Sequence, residues 1–246
     1  MRAFGAARTE VYRRWGWGDR VVTWHEAADT ALFRPPAEEG ERSGLVWIGN
    51  WGDGERSEEP ARFLLRPARH AGLPLDIHGV RYPEEALRAL AAEGARYRGW
   101  LPNAAAPAVF ARHLATVHVP RRFYVEALPG IPTIRVFEAL ACGIPLASAP
   151  WEDSEGLFRP GLDFLVARDG TEMTRHLRAL REVTAEAARA DVVVKASGVG
   201  WSSPWRRHGP GRCASSGTWT RRRRSPRCGP SPRTRCGARF PRSTWC

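Results

Sequence analysis

Residues 44–190 predict an α/β fold, a parallel sheet covered by helices on both faces, and three observations carry that expectation. Short apolar runs bounded by Gly or Pro recur along the segment, helix-length stretches separate them, and the connections are brief. The first run, GLVWIG at 44–49, is followed by a helix expected over 58–71. PLDIHG at 74–79 precedes a helix at 83–93, and ARYRGW at 95–100 precedes one at 106–113. The runs ATVHVP at 115–120 and PLASA at 145–149 flank a helix expected over 133–142, and DFLVAR at 163–168 leads into a last helix at 171–190. For the helix at 133–142, Pro132 and Thr133 suit a helix start and Gly143 and Pro145 a stop, while Ile134, Phe137 and Ala141 recur at helical spacing toward a core. In sheets of this kind ligands bind beyond the carboxyl ends of the strands, so the loops after 49, 79, 120 and 149 should share one crevice.

Charge is distributed unevenly. Residues 196–246 hold 12 of the 38 basic residues and no acidic one, so 26 basic residues face 26 acidic ones in 1–195 and the whole net charge of +12 belongs to the tail. The tail also carries Cys213, Cys228, Cys236 and Cys246 but no Ile, Leu, Met or Tyr, so it cannot bury an aliphatic core and is expected to be disordered. Its switch to Arg, Pro, Ser, Trp and Cys after Asp191 is what a shifted reading frame in a GC-rich gene yields. Two functional readings compete with that one: a nucleic-acid arm built on Arg221–Arg224 and Trp219, and a zinc site, which lacks any C-x2-C pair. The frame-shift reading is preferred. No apolar segment reaches membrane-spanning length and the first residues lack a signal h-region, which points to a cytoplasmic protein. Cys142, the one cysteine outside the tail, reads as a small buried hydrophobe.

The chemistry-bearing residues gather around 130–170. A helix that starts after a Gly-Ile-Pro loop offers free N–H groups and a positive dipole end to a phosphate, and Glu138, one turn inside, is placed to accept from ribose hydroxyls. Thr133 opens that helix, and Arg121, Arg122 and Arg135 can each neutralise a phosphate. The loop after the first strand supplies Gly49, Asn50, Gly52 and Arg56, whose glycines let a backbone approach a diphosphate and whose guanidinium would pair with it. It is neither a spaced G-x-G-x-x-G nor a Walker loop. The acidic loop WEDSEG at 151–156 reads as a solvated turn, except that Asp153 and Ser154 could face the crevice and touch sugar hydroxyls of a donor. His25 and Glu26 open an H-E pair, but Asp29 stands where a zinc helix needs its second His, so no metal is expected. His78 and His118 end apolar strands as core or capping residues, and His70, His113 and His176 read as helix-surface positions.

The run FEALACGIPL followed by a strand, an acidic loop and GLDFLVARDG resembles the donor half of GT-B glycosyltransferases, most closely the branch of CgeB-type spore-maturation proteins. WHEAADTALFRP, GLVWIGNWGDGER, LDIHGVRYP and YRGWLPN lie upstream in that family's order. The resemblance implies one Rossmann-like half of a two-domain enzyme: a remnant of the N-terminal domain and linker at 1–37, a donor-binding domain at 38–195, and a tail outside the family at 196–246. It implies hexosyl transfer from a nucleoside diphosphate sugar to an unknown acceptor, with no bound cofactor and with activity weak or absent without the other half. Related enzymes place two glutamates eight positions apart, but Gly130 stands eight before Glu138, so Glu126 would take the first role only across a longer loop. A non-catalytic nucleotide-binding remnant would share every one of these motifs.

Overall fold

The computed structural model describes residues 1–37, 40–51, 58–131, 133–152 and 156–189, with side chains of the last helix described through 184. The tail at 196–246 lies outside these residues. Six strands form one wholly parallel sheet: β3 (Leu45–Ile48), β4 (Leu75–His78), β5 (Arg96–Gly99), β6 (Ala115–His118), β7 (Leu146–Ser148) and β8 (Leu165–Val166). Their order across the sheet is β5-β4-β3-β6-β7-β8. The chain therefore winds outward from β3 in one direction, returns, and winds outward in the other, which puts the topological switch point between β3 and β6, the place where ligands bind in open sheets of this kind.

Alternation along each strand sends side chains to two cores. Leu45, Trp47, Ile77, Ala115, Val117 and Ala147 face one side. There they meet Phe63, Leu64 and Leu65 of a helical stretch made of α2 (Glu58–Pro60), a π-turn at Ala61–Leu65 and α3 (Arg66–Ala71), together with Leu90 of α4 (Glu84–Ala92) and Met173 and Leu177 of α8 (Gly170–Arg189). The other face sets Val46, Ile48 and Leu146 against Phe110 of α5 (Ala106–Arg112), Val136, Ala139 and Cys142 of α7 (Ile134–Cys142), and Phe33 from the N-terminal segment. Each fully buried aliphatic or aromatic side chain contributes on the order of 1.5–3 kcal/mol.

All six strands and five helical stretches expected from sequence are present, and the differences have local causes. The helix at 58–71 is interrupted by its π-turn, and a short helix, α6 (Arg122–Glu126), occupies the connection after β6. In α7 the deeply buried stripe is Val136, Ala139 and Cys142, whereas Ile134, Phe137 and Ala141 are only half-buried. The small side chains let the helix approach the sheet, and Phe137 turns instead to Phe158, with ring centroids 5.1 Å apart. His113 is not a surface residue: it is buried, its Nδ1 lies 2.7 Å from the Val109 carbonyl and its Nε2 3.5 Å from Asp76. The end of α5 turns inward there, toward the carboxylate of Asp76 on β4.

Asp76 also receives Arg96 Nε at 2.6 Å and Arg98 Nη2 at 3.4 Å, both from the edge strand β5. Burial pushes the Asp76 carboxyl up, but the two guanidinium groups outweigh it and hold the acid below its ordinary value. The first residues form a unit of their own, in which β1 (Arg2–Ala3) pairs in parallel with β2 (Val22–Thr23) around α1 (Ala6–Tyr12). Gly5 brings this unit against the loop before α7, where a Cβ would stand 2.6 Å from Ile131.

Candidate functional site

Three loops are tied together beyond β3, β4 and β5. The Gly49 N–H donates to the His78 carbonyl at 2.9 Å, and Gly79 N–H to that of Gly99 at 2.9 Å. Tyr82 Oη donates to the Gly49 carbonyl at 2.7 Å, Val80 N–H to Asn50 Oδ1 at 3.0 Å, and Tyr97 Oη to the Gly79 carbonyl at 2.8 Å. Gly49 and Asn50 are thus bonded through their carbonyl and amide oxygens to Tyr82 and Val80 in the connection after β4. Gly52 and Arg56 lie outside the described residues.

Across the switch point, Arg122 reaches Glu59 on α2 through Nε at 2.9 Å and Nη2 at 2.8 Å, linking the connection after β3 to the one after β6. Arg121 is exposed at the N-terminus of α6 and Glu126 is exposed at its C-terminus.

The central constellation lies on α7. Glu138 is only 2% exposed although it carries a charge. Asn103 Nδ2 donates to its Oε1 at 3.1 Å, Arg135 Nη1 donates to its Oε2, and Arg135 also donates to Asn103 Oδ1 at 2.9 Å. A buried carboxylate is tolerable because this fork and amide satisfy it, and removing one partner would leave the others unpaired. Asn103 stands three residues after Trp100, whose indole is 70% exposed. Asn103 ends the YRGWLPN run, but nothing in the local sequence linked it to Glu138, which is 35 positions away in the chain.

Glu26 also went unrecognised as part of this site. The backbone N–H of Ile134, first of α7, faces the Glu26 carboxyl, so a side chain from the N-terminal segment sits near the mouth of the helix. Burial pushes the Glu26 carboxyl above its ordinary value of 4.5, the Ile134 N–H draws it down, and the nearby charge of Glu138 pushes it up again. The same Glu138 charge and, above all, burial raise the Cys142 thiol to about 11, which leaves it an inert core residue.

A second polar chain runs beside the first. His118, buried at the end of β6, places Nδ1 2.9 Å from Ser148 Oγ and Nε2 3.2 Å from Thr133 Oγ1. Its ring stands edge-on to Trp151, at 6.0 Å between centroids. Trp151 in turn stacks on Phe164 at 6.2 Å and 10°, forming the apolar wall behind the acidic loop. Asp153 of that loop lies outside the described residues. Thr133, Arg135 and Glu138 are thus brought together with Asn103, Glu26 and His118 on one side of the crevice. Among the described residues no group of three or more His, Cys, Asp or Glu side chains is arranged to hold a metal ion, and no helix is long and apolar enough to cross a membrane.

Comparison with known proteins adds the following. The family model described as "Glycosyl transferase-like" matches residues 56–197. No curated protein sequence matches this chain. Among solved structures, S. aureus TarM in complex with fondaparinux, alpha-GlcNAc-glycerol and UDP aligns over 75% of this chain and 37% of its own, at 10% identity and a TM-score of 0.53. T4 phage beta-glucosyltransferase aligns over 68% of this chain and 50% of its own, at 13% identity and a TM-score of 0.51. AviGT4, a glycosyltransferase involved in avilamycin A biosynthesis, aligns over 76% of this chain and 62% of its own, at 14% identity and a TM-score of 0.50. The chain spans less than two thirds of the length of each of these three proteins.

Proposed function

The chain belongs to the glycosyl transferase-like family, and on that premise we propose that its crevice holds the nucleoside diphosphate of a sugar donor for hexosyl transfer. Its parallel six-stranded fold is that of one Rossmann-like half of the GT-B architecture. The observation that carries the reading is Glu138: a buried carboxylate, held by Asn103 and Arg135, one turn inside a helix whose N-terminus opens at the switch point. Ribose hydroxyls would donate to Glu138, and the diphosphate would lie at the start of α7 beside Thr133 and Arg135, with Arg121 the next cation along. The base would rest near the exposed indole of Trp100, where stacking contributes about 1–3 kcal/mol. Gly49, Asn50, Gly52 and Arg56 would border the diphosphate from the β3 side, and Glu126 and Asp153 the sugar. When the bond from the anomeric carbon to the diphosphate oxygen breaks, the leaving group takes the electron pair, and the α7 amides with Arg135 stabilise the charge it gains.

Titration calorimetry with UDP, GDP and ADP tests this. One of them should bind, and binding by none would overturn the reading. The donor sugar, the acceptor, the CgeB-like branch and a cytoplasmic setting are parts of the same proposal that rest on the sequence resemblance. So are the limits of the parts: linker to 37, donor domain 38–195 and a dispensable tail at 196–246. Deleting 196–246 should leave the thermal midpoint and nucleotide affinity unchanged, and a midpoint lowered by several degrees would make the tail part of the fold.

Glu26 competes with the donor for the mouth of α7. Glu26→Gln should therefore raise diphosphate affinity roughly two- to fivefold at neutral pH, the scale of a charge at a helix N-terminus. Because the folded chain holds this carboxyl above 4.5, its favourable contribution to stability is complete below that pH and is lost as pH rises through the folded value. Thermal melts should show Glu26→Gln gaining on the wild type at pH 7 and losing that advantage near pH 4. An advantage that does not change with pH would disprove the assignment.

A further inference from the structure

We propose that His118 is a positioning residue that keeps the first turn of α7 open to an anion by holding the Thr133 hydroxyl away from its own helix; its ligand rests on the donor reading above. Thr133 is the residue before the first turn of α7, with extended backbone angles of φ −87° and ψ 153°. In that position a threonine hydroxyl ordinarily accepts a hydrogen bond from the second or third amide of the helix. Thr133 makes no such bond. Its Oγ1 instead lies 3.2 Å from His118 Nε2.

Hydrogen accounting sets the direction of the chain. Ser148 has one hydroxyl proton and gives it to the Ala149 carbonyl at 2.7 Å, so at 2.9 Å its oxygen can only accept from His118 Nδ1–H. In the tautomer that carries its proton on Nδ1, Nε2 accepts the Thr133 proton. The strand register makes this possible. His118 and Ser148 are paired residues on the adjacent strands β6 and β7, both on the face that α7 covers.

The consequence falls on the amides. Val136 N–H is bonded to the Thr133 carbonyl at 3.0 Å, and the Ile134 N–H faces Glu26. The Arg135 N–H stands at the turn where a capping threonine would claim it, and Thr133 does not cap it. His118 thus leaves uncapped a donor that an ordinary helix start would consume, without touching the ligand itself.

The test uses the full chain, amide hydrogen exchange at Arg135 without ligand, and titrations with UDP and with inorganic pyrophosphate. In His118→Leu the freed Thr133 hydroxyl should cap the helix, slowing exchange at Arg135 about fivefold and weakening UDP binding by a similar factor. The loss should vanish in a Thr133→Val background, where no hydroxyl remains to misplace, and His118→Gln, which retains an acceptor toward Thr133, should restore both readouts. Should His118→Leu not fold, His118→Asn takes its place, since it keeps the bond to Ser148 but does not reach Thr133. Unchanged exchange at Arg135, or an equal loss in the Thr133→Val background, would overturn the proposal. Slowed exchange at Arg135 in a protein whose wild type binds neither UDP nor pyrophosphate would uphold the His118 to Thr133 coupling and overturn the donor reading instead.

Discussion

Glu138→Ala should weaken nucleoside diphosphate binding by roughly tenfold to a hundredfold, the scale of a lost charge-assisted hydrogen bond of about 1.5–3 kcal/mol. Two losses add together. The ribose would lose its acceptor, and Asn103 and Arg135 would lose the carboxylate that orients them. Glu138→Gln separates these contributions, since the amide can still accept from Asn103 while the charge facing Arg135 is gone. It should fall between wild type and alanine in calorimetry with UDP. Equal affinity in all three proteins would remove Glu138 from the binding site.

Gly79→Ala should be the most damaging single-methyl change in the sheet. A Cβ there would stand 2.0 Å from the Gly49 carbonyl oxygen and 2.7 Å from its carbon, and a backbone cannot rotate out of the way as a side chain can. The loops after β3 and β4 would have to part, straining the Gly49 N–H bond to His78, the Tyr82 hydroxyl bond to Gly49 and the Val80 bond to Asn50. Overpacking ordinarily costs about 1–3 kcal/mol, and a backbone collision belongs at or above the upper end. The thermal midpoint should fall by roughly 6–12 °C in a chain of this size. Gly94→Ala supplies the comparison. Gly94 also has a positive φ, +73°, but nothing lies within 4 Å of a Cβ there, so only backbone strain of about 1 kcal/mol is added. Equal midpoints for the two variants would mean that the loops accommodate the methyl group.

The centre of the sheet was legible in the sequence because β3, β4, β6 and β7 are mainly apolar runs closed by Gly or Pro, as in GLVWIG and PLDIHG, and burial on both faces leaves little room for another reading. Three short elements, β1, β2 and α6, were not legible. β1 and β2 carry too few positions for any period to show, and α6 is barely more than one turn. Periodicity also placed the wrong stripe of α7 inward, since Ile134 and Phe137 are the larger hydrophobes but Val136, Ala139 and Cys142 are what the sheet has room for. Glu138, Thr133 and Arg135 share one helix start and could be singled out together from sequence. The contacts of Glu138 with Asn103, of Glu26 with the start of α7 and of His118 with Ser148 could not, because side chains that meet from separate connections leave no local pattern.

Arg96 and Arg98 have a bearing on how copies of this chain behave toward one another. β5 is an outer strand of the sheet, and among the described residues its far side offers peptide groups with no neighbouring strand. Any second sheet approaching to extend the ladder would bring its own pair of guanidinium groups against these two, at 54% and 46% exposure and therefore still charged toward solvent. At the opposite rim β8 is only two residues long, too short to template a lasting pairing. Resistance to edge-to-edge aggregation thus rests on two arginines at one rim and brevity at the other, and it would persist even where the interior packing is intact but the acid beneath those arginines is lost.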